Sequence, residues 1–321
     1  MDRLTCAHRI AALAAACLAF ALAAHAQEPL APVESVEREA VIAAATEALE
    51  KSYVYPEVAT RMVVDLRARA GAGAYAMTDA REFARAVTSD LQAISRDKHL
   101  RLFPSGDQRA RQSLHAPANH GIGKREVLPG NVGYLEVTSF MGRGEAVHEA
   151  IAVAMTALAG TDALIIDLRR NGGGSPATVA RLSSYLFESR VHLNSLYWRE
   201  RDRTDEFWTT TQVEGTRFGQ SKPVYVLTSA KTFSGAEEFS YNLKNLKRAT
   251  LVGERTGGGA HPGGVHKLNE RFSLFVPTGR AISPITGTNW EGTGVVPDVE
   301  VPAGEALERA ISLARGAVKA S

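Results

Sequence analysis

The sequence predicts an α/β fold, with a small helical domain preceding a mainly parallel sheet covered by helices. Three observations predict it. From Glu34 to about Lys98, apolar residues recur at three-and-four spacing, the period of amphipathic helices. Beyond His120, short apolar runs alternate with helical stretches, the pattern of strands joined by crossover helices. The chain of 321 residues is 45% hydrophobic and 22% charged, an ordinary globular balance.

The first 26 residues stand outside that fold. Arg3, His8 and Arg9 precede an apolar run from Ile10 to Ala23, and "AHA" (Ala24 to Ala26) offers a small-x-small cleavage site. This is the layout of a secretory signal peptide, cut before Gln27, with an apolar run too short to span a bilayer. An exported protein, periplasmic or secreted, is therefore expected. Stable membrane insertion after cleavage is not. Cys17 as a lipid-anchored cysteine is the alternative, but the preceding "LAAA" has alanine where a large aliphatic residue is expected. Both cysteines, Cys6 and Cys17, fall in this segment, so the mature chain has no disulfides, thiolate nucleophile or thiolate metal site. Removing Asp2, Arg3 and Arg9 with the segment leaves 35 basic and 34 acidic side chains. So even a balance carries no electrostatic footprint for nucleic acid.

Residues 27–103 are expected to form the helical domain. "VEREAVIAAATEALEKSYV" and "VATRMVVDLRARA" are its first two helices, and "TDAREFARAVTSDLQAI" is a third, capped by Thr78 or Asp79. Residues 104–120, "PSGDQRARQSLHAPANH", lack periodicity and are expected to be a loop or linker. The core follows over 121–321. "GIGKREVL" and "VGYLEV" flank "PGN" as a strand pair, and "EAVHEAIAVAMTALAG" is a helix closed by Gly160. Next come the strand "ALIIDL", a helix from Pro176 to Phe187, the strand "VYVLTS" and a helix from Ser234 to about Lys247. "ATLVGE", "FSLFVP" and "DVEV" are further strands, and "GEALERAISLARGAV" is a terminal helix.

Two strand-to-helix turns carry candidate chemistry. In "ALIIDLRRNGGGSPATVARL", glycines let backbone N–H groups face a cleft, which suits an oxyanion hole or an anion nest. A tight structural turn explains the same glycines. The string also fits a loose dinucleotide fingerprint, but it lacks the acidic residue about 20 positions on, and no cofactor is expected. In "TSAKTFSGAEEF", Ser234-x-x-Glu237 is a capping box, which accounts for the serine without chemistry. The same position puts Ser234 at the positive end of a helix, with the Gly235 N–H pointing where a tetrahedral oxyanion would form. Both explanations can hold together. A nucleophilic serine needs a base, and His99, beside Asp97 in "SRDKHLRLF", and His261, in "TGGGAHPGG", are the histidines in suggestive settings. No pair of histidines at helical spacing has a third ligand, so no metal is expected.

Taken together, "DLRRNGGG", "TSAKTFSGAEEF", "RATLVGERTGGGAHPGG" and "GTGVVPDVEV" resemble the C-terminal processing peptidase and tricorn protease group. "KSYVYPEVATRM" and "SRDKHLRL" resemble its branch related to interphotoreceptor retinoid-binding protein. The resemblance implies a ClpP/crotonase-like core and a serine peptidase acting on peptides or proteins. It matches Ser234 to the nucleophile, and Gly235 and Gly173 to the oxyanion donors. Processing peptidases place a lysine base 25 residues after the serine, but that position is Gly259 here. Tricorn-like members use a histidine supported by a serine and a glutamate, and His99 and Glu291 match the histidine and glutamate. The supporting serine is replaced by Lys98, which leaves Asp97, a water or Glu291 to orient His99, with His261 as an alternative base. There is no room for the PDZ domain that processing peptidases usually carry. A non-catalytic module binding a hydrophobic ligand such as a retinoid or lipid is the competing expectation, since one scaffold can host both.

Overall fold

The computed structural model describes residues 30–105, 118–142 and 144–320. The expected signal segment, with Cys6 and Cys17, and most of the 104–120 loop lie outside the described residues. From Val33 onward the chain forms one unit.

Three helices open that unit: α1 (Ser35–Ser52), α2 (Pro56–Gly71) and α3 (Ala80–Ser95). Pro56 starts α2, where its missing N–H costs nothing. Asp79 caps α3 by accepting from the N–H groups of Arg81 and Glu82. The helix stops at Arg96, whose φ of 58° is left-handed and whose N–H returns to Gln92 O. The next strand, β1 (Arg101–Pro104), belongs to the core's side of the molecule: it pairs antiparallel with the later strand Phe272–Pro277. Val54 N–H also donates to Pro277 O, and Arg199 reaches the carbonyls of Tyr53 and Glu50. The helical region and the core are thus stitched together by backbone pairing.

After a short turn at Ala118–Gly121 come β2 (Ile122–Leu128), β3 (Val132–Val137), α4 (Glu145–Leu158), β4 (Ala163–Asp167) and α5 (Pro176–Ser183). β5 (His192–Trp198) and β6 (Arg203–Trp208) form a hairpin, followed by β7 (Val224–Thr228), α6 (Gly235–Asn245) and β8 (Thr250–Gly253). The chain closes with β9 (Gly263–Lys267), β10 (Phe272–Pro277), β11 (Gly279–Ile282), β12 (Val299–Glu300) and α7 (Ala306–Ala320).

The central sheet has the order β12-β8-β7-β4-β3-β2 and is parallel except for the β2–β3 hairpin. β4 (Ala-Leu-Ile-Ile-Asp) and β7 (Val-Tyr-Val-Leu-Thr) are buried at every position, as central strands covered on both faces must be. One face packs on α4, α5 and α6 through Leu164, Ile166, Val226, Met155, Leu182 and Phe239. The other packs on α7, whose Ala306, Ala310 and Ala314 recur every four residues and are fully buried. Two smaller sheets, β1-β10-β9 and β11-β5-β6, flank it. The site-bearing loops follow the carboxyl ends of β4, β7 and β8, where parallel sheets place their ligand sites.

Candidate active site

The turn after β7 delivers Ser234 in an unusual conformation, with φ 53° and ψ −121°. For a residue with a Cβ such a backbone costs about 1–3 kcal/mol, so its surroundings must impose it. Glu237 is the main constraint. Its fully buried carboxylate accepts from Ser234 N–H (2.8 Å), Gly259 N–H (2.8 Å), Gly258 N–H (2.6 Å) and Thr256 Oγ1 (2.5 Å). Burial pushes this carboxyl's pKa up, while the four hydrogen bonds oppose the rise. The capping glutamate therefore clamps the serine turn to the glycine loop after β8.

The turn after β4 presses on the serine from the other side. A Cβ on Gly173 (φ 108°) would lie 2.7 Å from Ser234 Cβ and 2.8 Å from Gly235 N, so only glycine fits. Buried Asn171 fixes this turn: its Nδ2 donates to Val137 O (3.0 Å), its Oδ1 accepts Gly173 N–H (2.8 Å) and its carbonyl accepts Phe233 N–H. The Gly173 N–H expected to face an oxyanion is thus already committed to Asn171. The amides of Gly172, Gly174 and Gly235 make no hydrogen bond among the described residues.

His99 sits in the turn between α3 and β1. That turn is pinned by Asp97 N–H to Ser95 Oγ, by His99 N–H to Asp97 Oδ1 and by Gln92 Nε2 to Leu100 O. Its ring packs on Phe233 (4.6 Å between centroids) and Phe275 (5.9 Å). A Cβ on Gly259 would lie 2.7 Å from His99 Cε1, so the imidazole fills the space a side chain at 259 would need. Burial pushes the His99 pKa down to about 4, against the pull of Asp97. Its Nδ1 is buried without a hydrogen bond and lies 3.8 Å from Asp97 Oδ1, while Nε2 has no partner among the described residues. Nor does a hydrogen bond join Ser234 Oγ to an imidazole among them; such contacts are often loose before substrate binds.

Glu291 makes no direct contact with His99 among the described residues. Its Oε2 accepts Ala260 N–H and lies 3.5 Å from His261 Nδ1, and burial beside Asp97 raises its pKa. His261 Nδ1 in turn meets Asp97 Oδ2 at 2.7 Å, with the ring edge-on to Tyr55. The expected Glu291–His99 pairing is replaced because Asp97, two residues from His99, takes the place beside the imidazole. Lys98, standing where the supporting serine was expected, donates its Nζ to Gly257 O at 2.6 Å. One ligand-type atom each of Asp97, His261 and Glu291 lies within 4.8 Å of the others, a set a cation could use, but the His261 nitrogen already bridges the two carboxylates.

The residues read from sequence thus fall into two groups. Ser234, Gly235 and Gly173 meet at one turn, with His99 packed on the neighbouring Phe233. His261 and Glu291 meet each other behind Asp97. Sequence reasoning read Glu237 as the capping partner of Ser234 but missed its bonds to Gly258, Gly259 and Thr256, and it missed the Asn171 anchor and the Asp97–His261 pair. Of the missed features, Asn171 had a local signal, since an asparagine two residues before a glycine N–H commonly caps it. No helix among the described residues is long and apolar enough to cross a membrane.

Comparison with known proteins agrees with this architecture. Residues 131–301 match the model of peptidase family S41, and residues 35–129 match the N-terminal domain of that family in eukaryotic IRBP. The chain is 29% identical over 184 residues to the chloroplastic carboxyl-terminal-processing peptidase 2 of Arabidopsis thaliana, covering 54% of this chain and 34% of that one. It is 29% identical over 178 residues to the tricorn protease of Thermoplasma volcanium, covering 54% of this chain and 15% of that one. The chain therefore spans about a third or less of the length of these relatives. Among solved structures, the photosystem II D1 C-terminal processing protease superposes with a TM-score of 0.54 at 17% identity, over 83% of this chain and 93% of that one.

Proposed function

Because this chain belongs to peptidase family S41, a family of serine-type peptidases, we propose that it hydrolyses peptide bonds of protein substrates through an acyl-enzyme on Ser234, with His99 as general base. As Ser234 Oγ attacks the scissile carbonyl carbon, its proton passes to His99 Nε2 and the carbonyl π-electrons move onto oxygen. The oxyanion is stabilised by Gly235 N–H at the positive end of α6 and by a free amide of the facing turn, Gly172 or Gly174. Gly173 contributes space. Collapse of the intermediate expels the amine, which leaves with the proton from His99. Water, deprotonated by the same nitrogen, then releases the acid.

One observation carries this reading: Ser234 is held in a strained conformation at a helix start, beside an unbonded Gly235 N–H and next in sequence to Phe233, on which the buried imidazole of His99 packs. A capping box needs none of that strain. Burial keeps His99 unprotonated over the whole neutral range, the state a base requires. Treating the protein with a fluorophosphonate probe and mapping the adduct tests the proposal. Labelling at Ser234, abolished in Ser234→Ala, is expected. A folded protein that leaves Ser234 unmodified would refute it.

We further assign the protein to an extracytoplasmic compartment, on the N-terminal segment with its cleavage site before Gln27. Protein recovered from its native host is expected to begin at Gln27, and an intact N-terminus would count against export.

A further inference from the structure

We propose that His261 is a positioning residue of this site: its Nδ1–H fixes the Asp97 carboxylate so that Asp97 orients His99, and Glu291 holds His261 in place. This rests on the reading of His99 as the base.

Asp97 is completely buried, and its two oxygens are divided between two imidazoles. Oδ1 accepts the His99 N–H at 3.0 Å and faces His99 Nδ1 at 3.8 Å. Oδ2 meets His261 Nδ1 at 2.7 Å and Tyr53 OH at 3.4 Å. A buried carboxylate free to turn would serve whichever donor came nearest, and His261 together with Tyr53 removes that freedom.

The consequence for His99 is its tautomer. With Oδ1 facing it, the ring's proton belongs on Nδ1, and the lone pair is left on Nε2 for the serine proton. A shift of less than about 1 Å would close the 3.8 Å gap to a hydrogen bond. The charged and titratable groups around His99 are Asp97, His261 and Arg101. Glu291 is absent from that set and acts at one remove, through the 3.5 Å approach of its Oε2 to His261 Nδ1. Glu291 is itself seated by Ala260 N–H and by its own N–H to Asn289 Oδ1. The serine that the resemblance would place at position 98 is therefore compensated from behind, by His261, 164 positions along the chain from Asp97.

The test compares His261→Leu, which removes the donor, with His261→Asn, whose amide can replace Nδ1–H. Two readouts apply: the rate of fluorophosphonate labelling, and the His99 tautomer by histidine-selective 15N NMR, assigned with His99→Gln. In the wild type His99 is expected as the Nδ1–H tautomer. His261→Leu should slow labelling by more than about tenfold, with the Nδ1–H form of His99 depleted. His261→Asn should stay within about threefold of wild type and keep the tautomer. A folded His261→Leu protein with an unchanged tautomer overturns the proposal, whatever its labelling rate. Equal loss of rate in both variants with the tautomer intact marks a merely structural role and also overturns it. Should His261→Leu not fold, His261→Gln and Glu291→Gln carry the same readouts. A wild type that never labels would refute the peptidase reading alone, because the tautomer still decides the role of His261.

Discussion

Gly259→Ala is a one-carbon change whose consequences can be worked out from the site. A Cβ at 259 would stand 2.3 Å from Phe233 Cζ, 2.5 Å from Phe233 Cε2 and 2.7 Å from His99 Cε1. Ordinary carbon contacts begin near 3.4 Å, so the Phe233 ring must retreat by about 1 Å, and His99 with it. The loop itself cannot give way, because Gly259 N–H is bonded to Glu237 and its carbonyl accepts Trp290 Nε1–H. Overpacking of this kind costs about 1–3 kcal/mol, and a chain of this size loses about 1.5–2 °C in Tm per kcal/mol. Moving a base by about 1 Å costs about 100-fold in rate. Fluorophosphonate labelling and thermal melting read the two effects separately. Gly264→Ala is the control, since a Cβ there meets nothing within 4 Å and should leave both unchanged. A Gly259→Ala protein that melts and labels like wild type would refute the claim that the imidazole and a side chain at 259 compete for one volume.

Glu237→Ala leaves three backbone N–H groups and the Thr256 hydroxyl without their buried acceptor; a loss of about 3–5 kcal/mol is expected by denaturant titration, with labelling of Ser234 lost as its turn relaxes. Asn171→Ala strands the Gly173 N–H and should cost about 1–3 kcal/mol, read in the same titration. The acid limb of the kcat/KM profile should fall near pH 4, well below the ordinary histidine value of 6.5, because only there does buried His99 take up a proton. The same burial couples stability to pH. The folded-state pKa lies below the unfolded one, so the contribution of His99 is complete above about pH 6.5 and is lost as pH falls through 4. The loss is about 3 kcal/mol, absent from His99→Gln, and is measured by denaturation across that range.

The helices and central strands were legible because their signals are local. Asp79 caps α3 as its sequence suggests, and β4 and β7 are continuous apolar runs. Where the signal is not local, the sequence was silent. β5 and β6 carry Asn194, Ser195, Thr204, Asp205 and Glu206 among their apolar residues, and pair without clear alternation. The helix expected to reach Phe187 ends at Ser183, where the hydroxyls of Ser183 and Ser184 bond the carbonyls of Val179 and Ala180 and the chain tightens into a 3-10 turn. The site divides along the same line. Ser234 and Gly235 share one turn, and their setting could be read from a dozen residues. Asp97 could be named from the sequence as one candidate partner of His99, but only the fold shows that it meets His261 and that Glu291 stands behind His261.

The same division separates the serine turn from the groups around His99. The serine turn is fixed by other groups: Glu237 from its own helix, Asn171 and Gly173 from the turn after β4. A side chain at 259 and the His99 ring would compete for one space beside Phe233. Here residue 259 has no side chain, and the imidazole of His99, carried by the turn between α3 and β1, lies against the space a side chain at 259 would need. Glycine at 259 is thus the condition for a histidine at 99. A histidine base needs a carboxylate to fix its tautomer where an amine does not, and the buried Asp97–His261–Glu291 cluster fits that requirement.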